Sequence, residues 1–146
     1  MRSPTERALR YLRASDYSAG VVEQWVPMFG AEPRPGGGNP GVRRDLFGCI
    51  DIIAVHEDGQ TLAIQCTSVG GMSDRYRKMR GLEPIKATDE KKRKRLEKQR
   101  DAMVLAIRRC LLSGWTLAIW GFDKGMKRPK VRYFTLSDLP QPELPL

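Results

Sequence analysis

Between residues 46 and 68 apolar and polar positions follow one another as in two buried β-strands joined by a tight turn. "LFGCIDIIAV" at 46–55 and "QTLAIQCTS" at 60–68 are rich in apolar and β-branched residues, and the Asp58-Gly59 pair between them suits a hairpin turn. Elsewhere the rhythm becomes helical. Ser3 serves as an N-cap, Pro4 as the first helical residue and Glu6 as the reciprocal partner of a capping box. Ala8, Leu9 and Leu12 then form a short apolar stripe, which predicts a helix over 4–14. Leu96, Met103, Ile107, Cys110 and Leu111 predict a long helix over 88–113, capped by Thr88 or Asp89 and stopped at Gly114. "GVVEQWVPMF" at 20–29 is a strand that Pro27 interrupts. "WTLAIWGF" at 115–122 and "KVRYFTL" at 130–136 are two more. The Pro- and Gly-rich 31–41 is expected to be a mobile loop, 69–87 to be irregular and basic, and 140–146 to be a Pro-rich tail. The expected order is α-β-β-β-α-β-β: one α/β domain over 1–139, a mixed β-sheet flanked by helices.

Composition narrows the class. A chain of 146 residues, 40% apolar and 29% charged, is long enough for one domain with a real core. No apolar run reaches the roughly 18 residues of a membrane span, and "MRSPTERALRYL" lacks the apolar core of a secretory signal. Cys49, Cys66 and Cys110 are widely spaced, apolar in context and without metal-binding spacing. They are expected to be buried thiols in a reducing cytoplasm, with no membrane partner. The net charge of +9 changes the picture. It points to a polyanionic partner, nucleic acid ahead of a membrane surface, with plain solubility as the alternative.

Candidate chemistry lies on the two central strands. Alternation puts Thr61, Ala63, Gln65 and Thr67 on one face of the second, while Asp51 interrupts the apolar run of the first. Antiparallel pairing through Asp58-Gly59 brings Asp51, Gln65 and Thr67 to one edge. A carboxylate and an amide oxygen there can share a hard divalent ion and leave positions for water and phosphate. Alternatively, Asp51 caps a bend while Gln65 and Thr67 bond locally.

On these residues a resemblance enters. "RRDLFGCIDIIAVHEDGQTLAIQCTS" at 43–68 resembles the catalytic core of the PD-(D/E)XK, or restriction-endonuclease-like, nuclease superfamily. "CIDIIAV" is similar to the Asp-bearing strand of Holliday-junction resolvases and the VRR-NUC group. "AIQCTS" stands in the place of their Glu-x-Lys strand. Small phage-type proteins with a DLFGFID core are similar too. The resemblance implies a Mg²⁺-dependent endonuclease, with Mn²⁺ as a substitute, hydrolysing DNA phosphodiesters. Asp51 would be the principal metal ligand, Gln65 would replace the family Glu, and Glu6 would be the acid of the first helix. A capping role alone also explains Glu6. Glu23 is the other candidate acid, and Asp45 would be an outer ligand or cap the entry to its strand. Thr67 departs from the pattern, because it stands where the family has Lys and carries no charge. Arg44, Arg75 and Lys78 are the candidates to supply that cation.

Residues 86–100 hold eight Lys or Arg against three acids, and "RYRKMR" at 75–80 is denser still. Arg43, Arg44, Arg75, Arg77, Lys78, Arg80, Lys91 and Lys94 are therefore expected to line a phosphate backbone; a solvated helix face is the alternative. Tyr76 either stacks on a base or packs in the core, Trp115 and Trp120 are expected in the core, and His56 at the surface without a partner. Two rivals stand beside the nuclease. One is a nucleic-acid-binding protein that keeps the fold without catalysis, and the other is an adaptor whose basic surface binds a partner. DNA against RNA, and monomer against homodimer, stay open.

Overall fold

The structure, a computed structural model, describes residues 2–27 and 41–140, except for the side chains of 23–27 and 41–43. The expected mobile loop (apart from Gly41) and tail (apart from Pro140) lie outside the described residues. Helix α1 spans Pro4–Ala14, and both halves of the expected capping box are present, Ser3 accepting from Glu6 N while Glu6 accepts from Ser3 N. Strands β1 (Ser18–Val21) and β2 (Glu23–Pro27) follow, then β3 (Gly41–Asp45), β4 (Ile52–Val55) and β5 (Thr61–Thr67). A 3-10 turn at Val69–Gly71 leads into α2 (Met72–Met79), and α3 (Glu90–Leu112), β6 (Thr116–Gly121) and β7 (Lys130–Phe134) complete the order.

Five strands form one mixed sheet, in the order β1-β4-β5-β6-β7. All neighbours are antiparallel except β5 and β6. Parallel neighbours need a crossover, and α2 with α3 supply it. Because β5 sits in the middle, both its faces are covered, and Leu62 through Thr67 are all buried. Leu62, Ile64 and Cys66 face Ala8 and Leu12 of α1, in a core that includes Ile52, Ala54, Ala118 and Trp120. Ala63, Leu117 and Ile119 face Met72 and Met79 of α2 and Met103, Ile107 and Cys110 of α3. The molecule is thus mixed α/β, with helices on both sides of the sheet. No helix among the described residues is long and apolar enough to cross a membrane.

Four elements differ from expectation. The strand foreseen over 46–55 begins only at Ile52, because residues 46–50 double back through a Leu46–Ile50 bridge. The strand foreseen over 20–29 is two strands, because Val22 N turns to the carbonyl of Asp51 and β2 leaves to pair with β3 in a separate two-stranded sheet. β3, "GVRRD", has little intrinsic strand preference, and its pairing with β2 makes it one. The segment foreseen as irregular contains α2, whose buried Met72 and Met79 are two turns apart. The order is therefore α-β-β-β-β-β-α-α-β-β. The turns behave as foreseen: Gly59 at φ +86° closes the β4–β5 hairpin, and Gly114 at φ +88° follows α3, which Asp89 caps.

Candidate acidic site and basic surface

The site is built on a chain reversal. Leu46 and Ile50 exchange backbone hydrogen bonds of 3.0 Å each, with Phe47 and Gly48 at the tip in positive φ (+56° and +81°). Asp45 and Asp51 are the next pair outward. Residues flanking a hydrogen-bonded antiparallel pair have their side chains close together, and the Asp45 carboxyl helps to push that of Asp51 up. Asp51 is locked in place: its N–H donates to Ile64 O and its carbonyl accepts from Val22 N, both at 2.9 Å.

The β4–β5 ladder ends at Ile52 and Ile64, so the Cys66 N–H has no strand partner on that side. Asp51 Oδ2 takes it at 2.7 Å, and takes Gln65 Nε2 at 2.7 Å as well. Asp51 is 7% exposed and Gln65 3%. Burial pushes the Asp51 carboxyl up to about 7; the Cys66 N–H opposes the rise, Asp45 adds to it and the Arg75 guanidinium opposes it. The Cys49 thiol, in the same reversal, is pushed up to about 12 by burial. All three cysteines are free and buried, as foreseen.

Asp51, Gln65 and Thr67 converge at one end of β5, as the alternation predicts, and Asp45 joins them. Thr67 is 9% exposed. Glu23 stands opposite Asp45 in the β2–β3 register, and its side chain, like that of Arg43, lies outside the described residues. Glu6 is not brought in. It is exposed, its carboxylate accepts from Ser3 N at 3.0 Å, and α1 packs on the opposite face of the sheet from Gln65. The capping role accounts for it.

The basic residues divide by what holds them. Arg75 and Lys78 are half-buried on α2, while Arg44 is exposed at the end of β3. Arg77 is exposed and pairs with Asp74 at 3.8 Å. Arg80 is tied down, its Nε donating to Asp138 O at 2.8 Å. Lys91 and Lys94 are exposed on α3, with Glu90 3.7 Å from Lys94. Tyr76 is half-buried at the margin of the core: its hydroxyl bonds Asp138, its ring meets Phe134 edge-on and Arg132 lies 3.5 Å over it. Trp120 is in the core and Trp115 packs at its margin. His56, expected to stand alone, has partners, with Asp58 Oδ1 at 3.4 Å and the Tyr17 ring at 5.1 Å.

Among the described residues no three His, Cys, Asp or Glu side chains form a metal-binding group. The donor set is two carboxyls and an amide. It suits a hard divalent ion: two apposed carboxyls gain from a cation between them, and Gln65 Nε2 is spent on Asp51, which leaves Oε1 for other partners. The signal in the sequence for the approach of Asp45 to Asp51 is the tight Phe47-Gly48 tip between them. Compared with known proteins, the chain matches no family model, no curated protein and no solved structure.

Proposed function

We propose that the protein is a divalent-metal-dependent nuclease of the PD-(D/E)XK type acting on DNA. The observation that carries this reading is the buried Asp51, held by Gln65 and the Cys66 amide with Asp45 alongside. An Asp on one strand and a polar pair on the antiparallel next strand is the arrangement the resemblance implies. The central strands support it, with a hairpin followed by a helical crossover to a parallel strand. Asp51, Asp45 and the Gln65 amide oxygen would hold Mg²⁺ or Mn²⁺. When bound, the ion polarises the phosphate and lowers the pKa of a coordinated water. The protein's own part is to keep Asp51 oriented through two donors and to hold the DNA backbone on the cations of α2 and α3.

Thr67 favours a second reading, a nucleic-acid-binding protein without catalysis, because it brings no charge to the phosphate. A panel of linear and branched DNA and RNA incubated with Mg²⁺ and Mn²⁺ separates the two. Cleavage by wild type that is lost in Asp51→Asn supports the nuclease. Binding without cleavage leaves the second reading, and neither activity removes both.

A further inference from the structure

Thr67 leaves the proposed site short of a positive charge, and its hydroxyl is turned against the segment that follows β5. The Thr67 hydroxyl occupies the space that a Cβ on Gly71 would need, so it is pressed against the backbone of the 3-10 turn. On the neighbouring strand a Cβ added to Gly121 would likewise run into the Met72 side chain and the backbone of Val69. The turn and α2 are therefore seated directly on the ends of β5 and β6. A longer side chain leaving residue 67 toward the turn would collide with it.

α2 brings its own cation to that place. Arg75 lies three residues after Met72 and four before Met79, on the face that the helix buries, and is itself half-buried. Ser73, Asp74 and Arg77 occupy the exposed face. We propose that Arg75 is a catalytic residue, the cation on α2 that meets the phosphate at the Asp51 site in place of a charge on β5. The proposal rests on the nuclease reading. Arg75 also acts on Asp51 electrostatically, drawing its carboxyl down against burial and Asp45.

The chemistry requires such a group. A water oxygen forms a bond to phosphorus as the bond from phosphorus to one ester oxygen breaks. That oxygen gains a proton by way of solvent and leaves as an alcohol, while a phosphate monoester remains. Negative charge grows on the phosphoryl oxygens, and a guanidinium can meet two of them with parallel N–H donors.

The test uses the full chain and the variants Arg75→Ala and Arg75→Lys. Lys127→Ala makes the same change in net charge on the exposed turn before β7. Circular dichroism checks folding; should Arg75→Ala misfold, Arg75→Gln, which keeps most of the aliphatic stem, replaces it. Single-turnover rates are measured with Mg²⁺ on the DNA that wild type cuts, and Kd is measured for each change in an Asp51→Asn background. Arg75→Ala is expected to slow cleavage by about 10²–10³-fold while Kd rises less than about tenfold. Arg75→Lys should recover part of the rate, and millimolar guanidinium should recover part of it in Arg75→Ala. Lys127→Ala should cut like wild type. An Arg75→Ala that cuts at the wild-type rate, or whose loss lies wholly in Kd, overturns the role of Arg75 and leaves the nuclease standing. A wild type that cuts no DNA or RNA with either metal sinks both.

Discussion

Asp51 accepts two hydrogen bonds of 2.7 Å, yet burial and Asp45 still hold its carboxyl near 7 rather than in the ordinary carboxylate range. A carboxyl with a raised pKa in the folded state binds its proton more tightly folded than unfolded. The associated penalty is absent below about 4, grows as pH rises to about 7 and is constant above that. Asp51→Asn removes it: the Asn oxygen can accept from Gln65 and Cys66, and its amide can donate to Asp45. At pH 8 in EDTA the variant should be more stable than wild type by on the order of 3 kcal/mol, and at pH 4 by nearly nothing. Urea unfolding at both pH values measures this, and a constant difference would place the cause outside ionisation. Thr67 and Gly71 set a second test. Gly71→Ala drives a methyl into the Thr67 hydroxyl and should cost about 1–3 kcal/mol. Thr67→Ala in the same chain should return part of that cost. Thr67→Lys should lower stability without raising any cleavage rate.

At the scale of elements, α3 is two helices in one. Its second half is anchored by Met103, Ile107 and Cys110, while residues 90–95 are all exposed and no residue before Met103 is buried. Lys91 through Arg95 are five consecutive cations, and steps of about 100° spread them around the whole circumference. Like charges three and four residues apart repel, and the single exposed Glu90–Lys94 pair offsets only part of that. A polyanion along it would reverse that. Changing Lys91, Lys92, Lys94 and Arg95 together to Gln should flatten the salt dependence of DNA binding, by about 0.9 in log–log slope for each phosphate no longer neutralised. Helix content should stay the same or rise. Fluorescence anisotropy between 50 and 200 mM salt and circular dichroism read the two quantities, and an unchanged slope would move the interface to α2. The elements that the sequence made legible are those whose apolar period is uninterrupted: α1, β5, β6, β7 and the anchored part of α3. β3 escaped because a partner strand makes it, not propensity. α2 escaped because Gly70, Gly71 and four cations mask two buried methionines. In the site, Asp51 and Gln65 were legible because period-2 alternation fixes a face. The meeting of Asp45 with Asp51 was not, since it depends on the backbone of the Phe47-Gly48 tip.

At the scale of the molecule, charge and chemistry share a side. Asp51, Gln65, α2 and the anchored part of α3 belong to one face of the sheet, while α1 covers the other. With a net charge of +9, the chain repels itself and is stabilised by whatever polyanion binds the folded form. Linkage gives the size: a ligand present at 100 times its Kd adds about 2.7 kcal/mol, which for a chain of this length is a rise in Tm of very roughly 8 °C. Thermal unfolding of the Asp51→Asn protein, which cuts nothing on the proposed reading, should show a rise of that order with a DNA duplex in 50 mM salt. The rise should disappear by about 200 mM as the counterion term collapses. The four-residue α3 variant should show a smaller shift, whereas Arg13→Gln on α1 should keep the full one. Duplex that leaves Tm unchanged at 50 mM salt would remove nucleic acid as the partner. A shift retained at 200 mM would mean that contacts other than backbone charge dominate. Equal shifts in the α3 and α1 variants would mean that the whole surface, and no particular face, attracts the polyanion.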